Sequence, residues 1–377
     1  MSSTHQTPDT GRRPTSSILI GALAPFSRPG WLDAGKHLVA GLELAVAEVN
    51  HAGGISGRRL ELLVRDTAAD AEKAAAAVDE LAGLGAVALA GEYHSVVARA
   101  AAARADAIRL PYLCSSAVLD QLTDQPTDWV ARLAPAQSHC WRVYADYLLS
   151  AGQSTVAIAA DPTSVYWASG TRILREHLVS RGGAVIELNA RELAPKAICD
   201  ELVVGGGKRA TGLLILVSQP NSASEIGEAV RRDERLAGMQ IGAPAGQPEL
   251  ADWATAFGNQ DGTATPFLRY LPESLSQQGL RVEAALSRKL AEEPSFVAFE
   301  GYDTILVLAE LLRTRGTNRL DSPPVWSDLA VDGSRGRISF TRSPGISVWQ
   351  WTWPPIQVAD RDPAQPSRLR TLYTASQ

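Results

Sequence analysis

The sequence predicts an α/β protein made of two lobes, each built on a parallel sheet. Its 377 residues exceed what one hydrophobic core usually holds. Short runs rich in Val, Ile and Leu alternate with Ala-rich helical stretches, which is typical of parallel sheets covered by helices on both faces. The alternation starts at Ser17, pauses at residues 127–137 and then starts again. Two sheets, and therefore two lobes, are expected.

The first series opens with an apolar strand at residues 17–25, then a polar loop and a helix at 37–54 that ends in glycines. Because the carboxyl ends of parallel strands lie at one edge of a sheet, the loops that follow them are expected to meet in one cleft. The later elements of this series are strand 58–67, helix 70–84, strand 86–93, helix 96–107 and strand 111–116.

The second series repeats this alternation from residue 139. It comprises helix 139–152, strand 155–161, helix 169–181, strand 184–192, a helix near Ala197, strand 211–218, helix 222–235 and strand 239–244. Strand-like residues 266–272 and long helices at 275–291 and 297–315 follow. These late elements are too few for another domain, so they are assigned to the two lobes.

The chain ends in two strand-like segments, 336–341 and 347–353, joined by a Ser-Pro-Gly turn that is typical of a β-hairpin. Trp349, Trp351 and Trp353 alternate along the second segment and therefore share one face. We expect this face to be buried near the hinge between the lobes; the alternative is a surface patch that docks a partner.

Charge and composition argue against several classes of protein. The net charge is −5 and Lys and Arg form no cluster, so no nucleic-acid partner is expected. No apolar run approaches the ~18 residues of a membrane span, so direct membrane insertion is not expected. The three cysteines cannot form a closed disulfide set and match no zinc pattern. Neither a metal nor a cofactor is expected.

The first 16 residues are polar, and the apolar stretch after them is too short for the core of a signal peptide. A cytoplasmic location is expected from the sequence as written. Export is the alternative, if an upstream signal has been removed.

Recognisable catalytic motifs are missing from the sequence. It contains neither Gly-x-Ser-x-Gly nor His-Glu-x-x-His, and no Gly-x-Gly-x-x-Gly follows the first strand. The glycine-rich stretch 203–210 is predicted to be a turn, because Arg209 follows Lys208 where a Walker phosphate loop needs a hydroxyl residue. The chain is therefore not expected to be an enzyme, although a site assembled only by the fold stays open.

The strongest pattern lies in a helix, a turn and a strand within residues 40–66. Its members are Gly41, Glu43, Ala45, Asn50, Gly53, Gly54, Gly57 and Asp66. Their spacing closely resembles leucine/isoleucine/valine-binding proteins, a branch of the type 1 periplasmic binding proteins that serve ABC transporters. Asn50 is expected to cap the helix end, and the glycines to supply positive φ in the turn.

The resemblance extends from about Ser17 to about Val358 and implies two Rossmann-like lobes with parallel-sheet cores, joined by three crossovers, with the ligand cleft between them. The crossovers are expected near Pro135, Thr263 and Phe340. The predicted bounds are 17–134 with 264–339 for the first lobe, 135–263 with 340–360 for the second, and tails at 1–16, disordered, and 361–377.

The resemblance also implies ligand contacts in the first lobe. Ser95 falls where the family has a Ser that opens a helix and binds a carboxylate or amide oxygen; a plain N-cap is the alternative. Tyr93 completes a Gly-x-Tyr-x-Ser run similar to that of the cytosolic amide sensors, or else it packs at a strand end. Ser116 and the Ala117 backbone fit the family's next ligand loop. Val118 replaces the usual Thr, which argues against a standard α-amino acid.

In the second lobe, Tyr166 matches a Tyr that closes over the ligand in this family, and Trp167 replaces a Gly. The two rings are expected to form an apolar or cation-π lid, with packing on the lobe as the alternative for at least one of them. Ser218 and Gln219 are placed in the cleft by topology alone. Trp31, in the first loop, is expected at the mouth of the cleft or on its exposed rim.

The sequence thus predicts a protein that closes its cleft on a small amino-acid- or amide-like solute. In one role it is the substrate-binding component of an ABC importer and its partner is a permease. In the other it is a cytosolic sensor whose ligand state controls a regulator protein. An amide, a modified amino acid or an aromatic acid would suit the expected contacts.

Overall fold

A computed structural model of the chain describes residues 17–204, 210–257 and 265–375. The N-terminal tail expected at 1–16, most of the glycine-rich stretch and the crossover expected at Thr263 lie outside these residues. The described helices and strands form two α/β lobes, and the strands at the centre of each lobe are parallel. The predicted fold class is confirmed.

The first lobe begins with the predicted alternation. Its elements are β1 (Ile18–Ala24), α1 (Leu32–His51), β2 (Leu60–Asp66), α2 (Ala71–Gly83), β3 (Ala88–Gly91), α3 (Ser95–Ala107), β4 (Tyr112–Cys114) and β5 (Val130–Arg132). Nearly all of β1 is buried because helices cover both faces of the sheet, and this accounts for its continuous apolar sequence. Asp70 begins α2 by accepting a hydrogen bond from the Lys73 amide at 2.9 Å.

Asn50 ties α1 to β2 and does not cap the helix, so the predicted capping role is wrong. Its Oδ1 accepts a hydrogen bond from the Leu60 amide at 2.7 Å, and its Nδ2 donates to the Leu60 carbonyl at 2.9 Å. The amide of Gly54 closes the helix end instead, by donating to the Val49 carbonyl at 2.9 Å. Gly54 has a φ of +74°, as the turn requires.

The second lobe contains a four-stranded parallel sheet in the order β7-β6-β8-β9. Its elements are α4 (Gln137–Ser150), β6 (Thr155–Ala160), α5 (Val165–Ser180), β7 (Ala184–Asn189), α6 (Pro195–Val204), β8 (Gly212–Leu216), α7 (Pro220–Arg232), β9 (Gln240–Gly242), α8 (Ala251–Ala256) and β10 (Phe267–Arg269).

The last part of the chain returns to both lobes. Its elements are α9 (Gln277–Leu290), α10 (Phe296–Arg315), β11 (Ala330–Gly333), β12 (Gly336–Thr341), β13 (Trp349–Trp351), β14 (Gln357–Asp362) and β15 (Gln365–Thr374). The first three strands complete an eight-stranded sheet in the order β11-β12-β13-β5-β4-β3-β1-β2. The predicted hairpin is present, with Phe340 opposite Trp351.

Two crossovers lie later in the chain than expected. β10 pairs with β14, and the Pro266 carbonyl before it accepts hydrogen bonds from second-lobe Tyr144 at 2.9 Å and Ala243 at 3.0 Å. The second crossover therefore follows β10, and residues 267–269 belong to the second lobe. The third follows β13, because β13 pairs with β5 in the first-lobe sheet. Residues 340–351 are thus part of the first lobe.

The segment expected to be a C-terminal tail, from residue 361, instead forms strand. β14 and β15 pair as an antiparallel hairpin, and β10 completes a three-stranded sheet. The buried Asp360 accepts a hydrogen bond from Arg370 Nε at 2.6 Å across this hairpin. Charged residues inside these strands interrupt the apolar pattern, which is why the sequence did not predict them.

The three tryptophans of the last segment have different surroundings. Trp351 is buried and donates a hydrogen bond to the Arg337 carbonyl at 3.0 Å. Trp349 is partly buried and donates to Asp128 at 2.8 Å. Trp353 lies beyond β13 and is 61% exposed. The expected shared buried face is therefore wrong for Trp353. Across the described helices, none combines the length and the apolar character needed to cross a membrane.

Candidate functional site

A cavity of about 280 Å³ lies between the two lobes, where loops at the carboxyl ends of their strands face one another. All but one of the residues predicted to face a ligand line this cavity: Trp31, Tyr93, Ser95, Ser116, Val118, Tyr166, Trp167, Ser218 and Gln219. The exception is Ala117, whose side chain is buried in the first-lobe core. Side chains alternate after β4, so Ser116 and Val118 face the cavity and Ala117 faces away.

Ser95 is the first residue of α3, and His94 holds the N-cap position. The Ser95 Oγ accepts hydrogen bonds from the backbone amides of Val118 at 3.2 Å and Leu119 at 3.4 Å. Its own hydroxyl proton is left to be donated into the cavity. The amino end of α3 also reaches the cavity through Val96 and Val97, and its dipole favours negative charge there.

Aromatic rings from the first lobe form one wall of the cavity. The ring of Trp31 lies 5.5 Å from that of Tyr93 and 5.1 Å from that of His94. Trp31 also meets Trp253 of α8 edge-on, with 5.1 Å between ring centres. Because Trp253 belongs to the second lobe, this pair closes the mouth of the cleft.

The second lobe supplies the facing wall. Tyr166 and Trp167 are 4.5 Å apart at the start of α5, and Tyr166 packs edge-on against Trp141 at 5.7 Å. Trp167 is only 2% exposed and its indole Nε1 donates a hydrogen bond to Ser218 Oγ at 3.0 Å. This hydrogen bond fixes the Trp167 ring, so the wall is rigid on this side.

Sequence reasoning missed several cavity residues. His94 lies between Tyr93 and Ser95, which were both predicted. Gln247 lies in the loop after β9, and loops that follow parallel strands are expected to line the cleft. Tyr270 and Phe296 pack edge-on at 4.9 Å and come from segments that follow no strand of either parallel sheet. No pattern in the sequence marks these two.

Three polar side chains of the cavity wall lack full hydrogen bonding, and His94 is one of them, through its Nε2. Gln247 is 1% exposed and its Nε2 has no hydrogen-bond partner among the described residues. The Ser116 hydroxyl lies near the buried Glu300 but makes no hydrogen bond of ordinary geometry within the described chain. Burial raises the pKa of Glu300 to about 8, against the opposing effects of Arg335 and of this hydroxyl. The Gln247 amide group and the Ser116 hydroxyl are both available to donate hydrogen bonds to a solute.

Charged side chains are missing from the wall of this cavity. Over residues 17–204, 210–257 and 265–375, its lining contains no Lys, Arg, Asp or Glu. Within the same residues, no group of three or more His, Cys, Asp or Glu side chains is placed to hold a metal ion. The wall is aromatic, with hydroxyl, amide and imidazole groups set into it.

Comparison with known proteins identifies one matching family and several relatives. A family model described as periplasmic binding protein matches residues 17–344. Leu/Ile/Val-binding protein homolog 7 of Brucella melitensis is 37% identical over 127 residues, which are 33% of this chain and 31% of the relative. Homolog 8 of Brucella abortus is 33% identical over 135 residues, 36% of this chain and 33% of the relative. The aligned part spans about a third of the length of these curated relatives.

Solved structures share the fold at low sequence identity. The isoleucine complex of the branched-chain amino acid transporter substrate-binding protein LivJ from Streptococcus pneumoniae has a TM-score of 0.77 at 19% identity, covering 96% of this chain and 100% of its own. A solute-binding protein of an R. palustris ABC transporter, in complex with benzoate, has a TM-score of 0.75 at 16% identity, covering 96% and 97%. At these identities the likeness shows the fold alone.

Proposed function

Because the chain belongs to the periplasmic binding protein family, we propose that it binds a small organic solute between its lobes and delivers it to an ABC importer. The observation that carries the proposal is the cavity itself, which both lobes line with the loops that follow their strands. A solute in contact with both lobes stabilises the closed form by its differential affinity for that form. The permease recognises this closed form.

We infer that the solute has an oxygen-bearing head and an apolar or aromatic body. Ser95 and the amino end of α3 suit the head, and the rings of Trp31, Tyr166 and Trp167 suit the body. Val118 stands where a Thr hydroxyl would hold the ammonium of an amino acid. The wall, as far as the structure describes it, also supplies no carboxylate for such an ammonium. An amide or an aromatic acid therefore fits better than a standard amino acid.

Binding without catalysis is part of the proposal. The matching family and the structural neighbours are ligand-binding proteins of transport systems. Within the described residues no group of three or more His, Cys, Asp or Glu side chains is placed to hold a metal ion, and the Ser95 Oγ is held by two backbone amides. We therefore infer that the solute leaves the cleft unchanged.

A second role, sensing, has one observation in its favour. Tyr93 lies in the wall next to Ser95, within the Gly-x-Tyr-x-Ser run that is similar to that of the cytosolic amide sensors. In that role the closed form would act on a regulator protein in the cytoplasm. Fractionating cells that express the full-length protein separates the roles, because an importer component is found outside the cytoplasmic membrane and a sensor inside it.

A thermal-shift screen of the wild type and of the Ser95→Ala variant tests the proposal. The library contains amino acids, amides, ureas and aromatic acids, and each midpoint is compared with that of the same variant without solute. A solute at 100 times its dissociation constant adds about 2.7 kcal/mol to the free energy of unfolding of the wild type. We expect Ser95→Ala to lose most of that shift.

The matched control is Ser222→Ala, on an exposed turn of α7. It is expected to keep the full shift. If no library compound shifts the wild type, the solute-binding proposal fails. If Ser95→Ala keeps the wild-type shift, solute binding stands but not through the amino end of α3.

A further inference from the structure

Glu92 and His94 lie in contact beside the cavity, with Glu92 fully buried and His94 partly buried. Glu92 is fully buried, and its carboxylate accepts hydrogen bonds from the Thr67 hydroxyl at 2.8 Å and from the His94 backbone amide at 2.9 Å. It also lies 3.2 Å from His94 Nδ1. Because a carboxylate only accepts hydrogen bonds, this network assigns a proton to Nδ1. Glu92 therefore fixes both the tautomer and the orientation of the imidazole.

The other nitrogen of the ring is free. His94 is one of the residues of the cavity wall, and its Nε2 is buried with no hydrogen-bond partner among the described residues. A buried polar nitrogen without a partner is unfavourable unless a ligand or a water supplies one. The rings of Trp31 and Tyr93 pack against His94 at 5.1 and 5.5 Å and leave it little freedom to turn away.

His94 is also the residue of this wall that can carry positive charge near neutral pH, since the lining described above contains no Lys or Arg. The amino end of α3, one residue further along, favours a negative group at the same place. Two features thus favour an anion near His94 Nε2: an imidazole that can carry positive charge, and the amino end of α3.

We propose that His94, positioned by Glu92, binds the head group of the solute through Nε2, and that this head is a carboxylate on an aromatic body. This inference rests on the proposed function and names its ligand class. His94 binds the carboxylate as an imidazolium, donating from Nε2, so binding takes up a proton from solvent whenever the free ring is neutral. A neutral amide of the same shape binds without this uptake and more weakly.

The other titratable groups near the ring do not change charge between about pH 6 and 8. They are Asp66 at the end of β2, Tyr93 in the loop between β3 and α3, and Tyr112 and Cys114 on β4. Burial raises the pKa of both tyrosines well above the usual value and that of the Cys114 thiol to about 11. Against the effect of burial, hydrogen bonds from Ser27 and Phe26 keep the pKa of Asp66 low.

Glu300, with a pKa of about 8, does ionise near this range, and its charge acts on the Tyr93 hydroxyl. Ionisation of Glu300 as the pH rises would also weaken the binding of an anion. A variant that removes only the imidazole separates the two contributions, because it leaves Glu300 in place.

Benzoate and benzamide, which share a shape and differ in charge, are the probes. Calorimetric titration of the wild type is run at pH 6 and 8, in two buffers of different ionisation enthalpy, so that proton uptake is measured directly. We expect benzoate to bind more tightly than benzamide, to weaken severalfold as the pH rises and to take up protons. We expect His94→Gln to weaken benzoate about tenfold or more, abolish its proton uptake and change benzamide less than about threefold.

The matched control is His51→Gln, at the exposed end of α1, which is expected to behave as the wild type. The proton-uptake measurement needs no variant, so the inference stays testable if His94→Gln fails to fold. Benzoate binding without proton uptake, or equal losses for both probes in His94→Gln, overturns the role of His94. If neither probe binds while the screen finds another solute, the carboxylate class is wrong and the proposed function stands. If no compound of the library binds the wild type, both this inference and the proposed function are wrong.

Discussion

Three ionisable side chains lie buried together beneath the cavity. Arg335 donates hydrogen bonds to Asp303 at 2.9 Å and to Glu300 at 3.2 Å, and the side chains of Arg335 and Glu300 are both 0% exposed. Asp303 also accepts from the Ser334 amide at 2.6 Å and hydroxyl at 2.8 Å. Two carboxyl groups therefore share one guanidinium, and burial raises the pKa of Glu300 to about 8.

The raised pKa of Glu300 makes the stability of the protein depend on pH. The pKa rises from 4.5 in an unfolded chain to about 8, so the folded protein binds one more proton between these values. The free energy of unfolding therefore falls as the pH rises through this window, by up to about 1.4 kcal/mol per pH unit. We expect Glu300→Gln to remove this part of the decline in urea unfolding at several pH values. Glu293→Gln, at an exposed position, should keep it; a parallel decline in both variants would contradict this assignment.

Individual cavity residues were predictable where they lie in loops after the carboxyl ends of parallel strands. Ser95, Ser116 and Ser218 each follow a strand of a parallel sheet, and all three line the cavity. Tyr270 and Phe296 reach it from segments that become neighbours only after the lobes assemble. Their placement depends on tertiary packing, which local patterns do not record.

At the scale of elements, α1 and α10 approach each other closely because each carries a glycine at the contact. A Cβ added to Gly41 would lie 1.9 Å from the Ala298 carbonyl oxygen, and one added to Gly301 would lie 2.2 Å from that of Leu38. Both obstacles are backbone atoms, which cannot turn aside as a side chain can. The two helices must therefore separate if either position gains a side chain.

We expect Gly41→Ala to destabilise the first lobe by at least about 1–3 kcal/mol, despite the better helix propensity of Ala. The measurement is the midpoint and slope of urea unfolding. The control is Gly83→Ala, at the end of α2, where an added Cβ meets nothing within 4 Å. A Gly41→Ala variant as stable as Gly83→Ala would show that the two helices tolerate separation.

The alternating elements were predictable, and the crossovers and the last hairpin were not. β1 and β6 are nearly continuous apolar runs, so periodicity and turn residues located them. β14 and β15 contain Asp360 and Arg370, which pair with each other across the hairpin and interrupt the apolar pattern by which strands are predicted. The positions of the crossovers depend on the sheets in which β10 and β13 pair. The partner of β10 lies more than 80 residues further along the chain, so local patterns do not predict this pairing.

At the scale of the whole molecule, direct polar contacts join the two lobes in more than one place, and one of them is the hydrogen bond from the Phe296 amide to Glu249 at 3.0 Å. Arg28 Nη2 lies 2.9 Å from Asp252 Oδ2, and the Asp252 amide donates to Asp33 at 3.1 Å. The Arg28–Asp252 ion pair is largely exposed and contributes only about 0–1 kcal/mol. A solute in contact with both lobes adds its own differential affinity for the closed form.

The Trp31–Trp253 contact adds an apolar component to closure. We expect Trp31→Ala to lower the affinity for the solute found in the screen roughly tenfold, since it removes both a wall of the cavity and an interlobe contact. Calorimetric titration measures the loss. Trp353→Ala, which removes an exposed tryptophan far along the chain, should bind as the wild type. An unchanged affinity in Trp31→Ala would show that the Trp31–Trp253 contact does not contribute to closure.

The position of β13 has a consequence for how the protein is made. β13 lies between β5 and β12 in the first-lobe sheet, so the edge of β5 stays unpaired until residue 351 has left the ribosome. By then all of the second lobe except β14 and β15 has been synthesised. For most of translation the nascent chain thus exposes an open strand edge, which is a template for aggregation. A chaperone that shields β5 during synthesis would protect the protein at the stage when it is most vulnerable.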